Sequence, residues 1–229
     1  MAIYVGDKRY APYIGDKRRR YMGGGGGYPA DAIMTIETNP EVLAICYAQG
    51  WAANADYMTK KEAESVTSIG TVFSSSSIGD FHEFQYFTSV TSIDSEAFRS
   101  STITGITFPD SIVSIGQYAF LNCAGLTSIT LNEGVRTVDN QWIWSARNMK
   151  LIDFPSTMVT MNGIGFQTNE TYYNCICRAT TPPSLGSSSY TNALLAFYVP
   201  DDSVDLYKAA SKWADFATKI RPLSEYIPS

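Results

Sequence analysis

Histidine is almost missing from this chain: His82 is the only one among 229 residues. A catalytic part for it would need a nucleophile or carboxylate partner, and Glu83, its chain neighbour, is expected to face away. Charge is scarce as well. Charged residues make up 17% of the chain, against about a quarter in an average globular protein. The net charge of −5 argues against general nucleic-acid binding. There is no run of about 18 apolar residues, so no helical membrane span is expected. The G-x-S-x-G, phosphate-loop and H-E-x-x-H motifs are all absent, and the five glycines at 23–27 are not followed by GK[ST]. Asp94 and Glu96 fall on a turn, where paired acids are more often solvated than catalytic. An enzyme would have to assemble its site across distant parts of the chain. The expectation is therefore no enzyme, no cofactor and no metal.

Cysteine is present at Cys46, Cys123, Cys175 and Cys177. Cys175 and Cys177 read as small buried hydrophobes of a strand. A Cys-x-Cys metal site would need further ligands that one distant histidine does not supply.

What the chain has instead is repetition. Val90, Ile112, Val135 and Met158 are spaced 22, 23 and 23 apart, and the same steps link Ile93, Ile115, Val138 and Met161, and then Phe98, Phe120, Ile143 and Phe166. Ile103, Leu126, Met149 and Tyr172 step by 23, as do Ile106, Ile129, Ile152 and Cys175, and Phe108, Leu131, Phe154 and Cys177. A period in the range of about 20–29 residues with an L-x-x-L-x-L core, here Leu126-x-x-Ile129-x-Leu131, is the mark of leucine-rich repeats. Each repeat opens on V-x-S-I, turns, sets an Ala-Phe type anchor such as Ala119-Phe120, and ends on a short strand. Alternation along that strand points Ile129 and Leu131 inward and Thr130 outward. The matching outward positions are Thr107, Asp153 and Ile176, with Thr104, Thr127, Lys150 and Tyr173 beside them. Around Ile143 the anchor is replaced by Trp142-Ile143-Trp144, and the two tryptophans are candidates for exposure. The threonine rows serve either ligand binding or strand propensity. The tryptophan pair either binds or packs a loop.

Four segments follow along the chain. Residues 1–28 hold a small duplication, Val5-Gly-Asp-Lys-Arg against Ile14-Gly-Asp-Lys-Arg, then the glycine linker. They read as a hairpin arm for assembly, with Tyr4, Tyr10, Tyr13, Arg18, Arg19 and Arg20 as its candidate contacts. Residues 29–65 read as a helical N-terminal cap: Pro40 and Gly50 bound one helix, and Thr59-Lys-Lys-Glu62 is a capping box for a second. Residues 66–180 are the repeats. Residues 181–229 close the array with a strand over 194–199 and a helix capped by Asp201 or Asp202, whose Val204, Tyr207 and Trp213 share a face.

The phrase ITFPDSIVSIGQYAFLNCAGLTSITL resembles the BspA-type leucine-rich repeats of bacterial surface proteins. The tail FYVPDDSVDLYKAASKWADFATKIRPLSEY is similar to the C-terminal cap of such arrays. The resemblance covers about residues 66–229. It implies an α/β repeat solenoid with a parallel sheet on one face and a C-terminal helix cap, to which residues 29–65 add the helical N-terminal cap. It implies adhesion or recognition, with no catalytic residues. No export signal is read at the N-terminus. The GDKR-type segment over about residues 1–60 resembles phage or prophage structural proteins, which need none. The expectation is a tail-fibre or attachment protein of a virion, meeting a protein or glycan on a cell surface. It would bind other virion proteins or further copies of itself through residues 1–28. A bacterial surface adhesin and a purely structural assembly component are the alternatives.

Overall fold

The computed structural model describes residues 3–5, 8–10, 28–162, 173–186 and 194–228. Near the N-terminus Ile3–Val5 pairs antiparallel with Lys8–Tyr10. Tyr13, Arg18, Arg19, Arg20, Phe166 and Tyr172 lie outside the described residues. In the next segment Ala32–Thr35 pairs antiparallel with Tyr57–Thr59. Helix α1 (Pro40–Ala48) begins on its proline, and Gly50 follows it with φ 75°, the left-handed turn that lets a helix stop. Helix α2 (Lys60–Ser65) carries the capping box. The Glu62 amide donates to Thr59 Oγ1 at 3.3 Å and the Thr59 amide to Glu62 Oε2 at 2.7 Å.

The repeats build two parallel sheets, where the sequence resemblance implies one. In the minor sheet the V-x-S-I phrase itself is a strand: Ser92–Ile93, Ser114–Ile115, Thr137–Val138, Thr160–Met161 and Ser184–Leu185 pair in that order. The major sheet orders Ser128–Thr130, Leu151–Phe154, Tyr173–Cys177, Leu194–Val199 and Ile220–Pro222. A shorter parallel pair, Asp80–Phe81 with Gly105–Ile106, precedes it. Ile93 lies opposite Ile115, Val138 opposite Met161, and Ile129 opposite Ile152, which lies opposite Cys175. All of these side chains are buried. The chain period is thus the length of one circuit from strand to strand.

Between the two strands of a repeat the chain turns without a helix. Glu96, Tyr118 and Gln141 have φ of 62°, 58° and 54°, and Ser100, Asn122 and Ser145 φ of 55°, 59° and 57°. Such backbone costs L-residues on the order of 1–2 kcal/mol each. At three of these positions it aims the amide at the next repeat: Glu96 N donates to Gln117 O at 3.0 Å, Ser100 N to Leu121 O at 2.7 Å, and Asn122 N to Trp144 O at 2.8 Å. The turns therefore form a third ladder between repeats. Beneath it the rings of Phe73, Phe98 and Phe120 stack with centroids 5.5 and 5.0 Å apart and planes 11° and 7° from parallel.

The last strand, Ile220–Pro222, is not apparent from the repeat pattern. It adds to Leu194–Val199 and leaves a proline on the outer edge, where no ladder bond is needed. Helix α3 (Val204–Ala209) is short. Its N-cap Ser203 makes no side-chain cap bond, and Asp201 Oδ1 instead accepts from Ser224 N at 3.0 Å. The expected aspartate cap of this helix is corrected accordingly. Tyr207 and Trp213 are buried, Trp213 from the turn after the helix. Trp213 Nε1 donates to Pro183 O and Lys212 Nζ to Leu185 O, both at 2.7 Å. These bonds occupy carbonyls next to and on the last minor strand.

Gly125 shows how close the repeats stand. A Cβ there would lie 2.5 Å from the Ile103 carbonyl oxygen and 2.7 Å from that of Thr102. Since both obstacles are backbone, Gly125→Ala is expected to destabilise by about 1–3 kcal/mol. The check is chemical denaturation, with an unchanged midpoint as the contrary result.

Candidate recognition surface

The outward positions of the first strand of the major sheet and of the short strand pair before it are hydroxyl-rich. Thr104, Thr107, Thr127, Thr130 and Lys150 are all exposed. Ile129, between the exposed Ser128 and Thr130, is buried at 3% exposure, so the side chains of that strand sort by its pleat. The threonine hydroxyls on this face make no hydrogen bond with a described residue, and Lys150 makes no ion pair with one.

Other hydroxyls differ in kind. Ser89 Oγ donates to Glu64 O, Ser111 Oγ to Val90 O, Thr157 Oγ1 to Val135 O and Ser203 Oγ to Thr180 O, at 2.6 to 2.9 Å. Each reaches the carbonyl of the preceding repeat. One set of serine and threonine hydroxyls therefore joins repeats, while those of Thr104, Thr107, Thr127 and Thr130 bond to no described residue. Composition alone does not separate the two.

Further along the same sheet the face closes. Thr130 lies opposite Asp153, which lies opposite Ile176, then Tyr198 and Arg221. Asp153 is only 8% exposed and is held by a two-pronged ion pair, Arg178 Nε to Oδ1 at 2.9 Å and Nη2 to Oδ2 at 2.6 Å. The bonds to Asp153 push the Arg178 guanidinium further up. Glu133 accepts from Ser156 N at 3.1 Å and Ser156 Oγ at 2.8 Å, and these bonds hold its carboxyl below the usual range. Asp153 and Glu133 are thus spent on inter-repeat contacts.

Four of the expected surface residues are corrected, Asp153 among them, which its ion pair with Arg178 draws in. Tyr173 is 1% exposed. It lies on the same parity as Cys175 and Cys177, and the strand Tyr173–Cys177 runs far enough back for alternation to turn it inward. Thr127 and Lys150 hold the same column but stand just ahead of their strands, so alternation does not reach them. Ile176 is outward by parity yet buried. Trp142 is 1% exposed and takes the column of the buried alanines Ala97 and Ala119. Its ring meets Phe120 edge-on at 6.1 Å and Phe154 at 6.2 Å. Ile143 stands in the phenylalanine column. The pair Ala-Phe has become Trp-Ile, large for small and small for large, which keeps the layer filled. Trp144 is half-buried. Trp142→Ala is expected to cost about 3–5 kcal/mol and Trp144→Ala clearly less. Urea denaturation of the two single variants checks this, and equal losses would contradict the assignment.

His82 and Glu83 do meet, contrary to expectation. They share a 3₁₀ turn, His82–Tyr86, with Nε2 and Oε1 3.6 Å apart and His82 Nδ1 3.7 Å from Asp80 Oδ2. Glu83 is buried and accepts from Asn39 Nδ2 at 2.9 Å, which also donates to Asp80 O at 3.0 Å. The cluster ties the N-cap of α1 to the first repeats. All four cysteines are buried and unpaired. Burial pushes the Cys123 and Cys177 thiols up to about 11, so neither is a thiolate near neutrality. Among the described residues no cluster of three or more His, Cys, Asp or Glu could hold a metal ion. No described helix is long and apolar enough to cross a membrane.

Comparison with known proteins bears on the repeats alone. The sequence profile of the BspA type leucine rich repeat region matches residues 59–193 in six copies. That stretch is more than half of the chain. It opens at the cap of α2 and runs to the start of Leu194–Val199. None of the curated protein sequences matches the chain. By its repeats, the chain belongs to the BspA-type leucine-rich-repeat family.

Proposed function

We propose that this protein is a non-enzymatic recognition module that meets a protein or glycan on a cell surface through the outward face of its major sheet. Family membership suggests a protein-interaction or adhesion module. The observation that carries the reading is the free hydroxyl set. Thr104, Thr107, Thr127 and Thr130 project beside Lys150, and their hydroxyls bond to no described residue, whereas those of Ser89, Ser111, Thr157 and Ser203 bond between repeats. Strand propensity accounts for threonine at such positions but not for their clustering with an unpaired cation. A row of hydroxyls on a flat sheet suits hydrogen bonding to a glycan or a polar peptide.

In this reading the repeats stack as a solenoid. Its first layer is covered by residues 29–65 and its last by α3 with the turn that carries Trp213. Residues 1–28 form the assembly arm that joins it to a virion as a tail-fibre or attachment component of a phage or prophage, alone or as a homo-oligomer. The resemblance of the first 60 or so residues to phage structural proteins supports the virion setting. The repeats themselves favour a second reading, a bacterial cell-surface adhesin. Immunogold labelling separates them: label on released particles supports the virion, and label on the intact cell envelope supports the adhesin.

The site is tested on glycan and protein arrays with the full-length chain. A Thr127→Ala, Thr130→Ala, Lys150→Ala variant is expected to lose at least tenfold in apparent affinity with its melting temperature nearly unchanged. Wild-type binding by that variant would remove this face from the function.

A further inference from the structure

A second surface is left unassigned by the recognition reading. Beside the minor sheet runs an open groove of about 380 Å³, with Gly116 at its floor and Asp94, Ser95, Ser114, Thr137, Asp139 and Asn162 around it. Asp94 Oδ2 accepts from Ser68 Oγ and Gly70 N, both at 2.9 Å. Asp139 Oδ1 accepts from the Asn140 amide at 2.7 Å and Asn162 Nδ2 at 3.5 Å. The second oxygen of each carboxylate, and the hydroxyls of Ser95, Ser114 and Thr137, bond to no described residue. Just ahead of these strands Val113 and Val159 are 41% and 52% exposed, with Arg136 in the matching position between them.

The chain carries a fitting occupant. Residues 1–28 hold six Lys and Arg against two Asp, a charge of +4, while residues 29–229 hold eleven against twenty, a charge of −9. The arm is therefore strongly basic and the body strongly acidic, which the overall charge conceals. The root of the arm packs on the strand that leads into α2, and the residue just past α2 bonds to the groove. Tyr28 packs on Tyr57 with ring centroids 6.2 Å apart, Tyr57–Thr59 leads into α2, and Ser68 just beyond α2 bonds to Asp94. Residues 21–27 extend up to about 25 Å, several times the strand spacing of about 4.8 Å.

We propose that this groove is the docking site of the chain's own basic arm, with the ammonium and guanidinium groups of residues 8–20 set against Asp94 and Asp139. The tether raises the local concentration of the arm to about the millimolar range, above that of any second copy at micromolar protein. The arm that the proposed function assigns to assembly is then latched on its own repeats until a more acidic partner displaces it. This uses the arm part of that reading and not its ligand face.

Zero-length carbodiimide coupling of the full-length protein tests the latch, in an equal mixture of ¹⁵N-labelled and unlabelled chains. The expected products join Lys8 or Lys17 to Asp94 or Asp139 within peptides of a single isotope. Their yield should fall at least fivefold in 0.5 M salt, since exposed charges are screened beyond about 3–10 Å. The same loss is expected when Arg18, Arg19 and Arg20 are replaced by Ser, a change outside the repeats. In the Asp94→Asn, Asp139→Asn variant coupling should not simply move to other acids of the body. Absent links, links indifferent to salt and to the arginine change, or predominantly mixed-isotope links each overturn the proposal. Array binding reports on the threonine face independently, so failure of one does not imply failure of the other.

Discussion

Every repeat is hydrogen-bonded through its backbone to the repeats on either side, and that one constraint governs the rest of the structure. Strands in register stand about 4.8 Å apart. A residue in one repeat therefore has its counterpart of the next repeat directly above it, and each column must be occupied by something that tolerates its own neighbours. Isoleucine, valine and methionine satisfy this in the Ile93 to Met161 column, and flat rings do so where Phe73, Phe98 and Phe120 stack. At Gly125 the backbone of the preceding repeat occupies the space a methyl group would need. The left-handed turns follow from the same demand. Their amides must reach a carbonyl in the next repeat, and residues such as Glu96 and Asn122 accept an unfavourable φ to do so.

The constraint also sorts the polar residues. A hydroxyl that can reach the carbonyl of the preceding repeat is drawn into the ladder, as with Ser111 and Thr157. A carboxylate near a cation or a serine of the next repeat is drawn into a staple, as with Asp153 and Glu133. What remains over is the side chains at outward positions that no described neighbour uses. Thr127, Thr130 and Lys150 belong to that remainder, and so do the free oxygens of Asp94 and Asp139. Two surfaces of opposite character result, a hydroxyl face with a cation on the major sheet and an acidic groove beside the minor sheet.

The Trp142-Ile143 pair illustrates how a repeat absorbs change. Counting residues places Ile143 in the anchor column and makes the tryptophans look like additions. In three dimensions the backbone columns are kept, and the large ring fills the layer from the alanine position while isoleucine occupies the phenylalanine position. The ring packs between Phe120 and Phe154. An aromatic residue at an irregular place in a repeat is thus no sign of exposure when its smaller neighbour leaves a matching space.

The repeat period, the identity of the inward columns, the helix-bounding Pro40 and the capping box at Thr59 were all determined by sequence alone. Each depends on residues near in the chain or on a strict recurrence that local chemistry makes visible. The second sheet, the strand Ile220–Pro222, the inward turn of Tyr173 and the burial of Trp142 were decided only by tertiary structure. A two-residue strand has too little alternation to be seen in isolation, and Tyr173 depends on where its strand begins. The division of hydroxyls into bonded and free depends on whether a carbonyl some 21 to 25 residues earlier lies within reach. That distance exists only once neighbouring repeats are stacked.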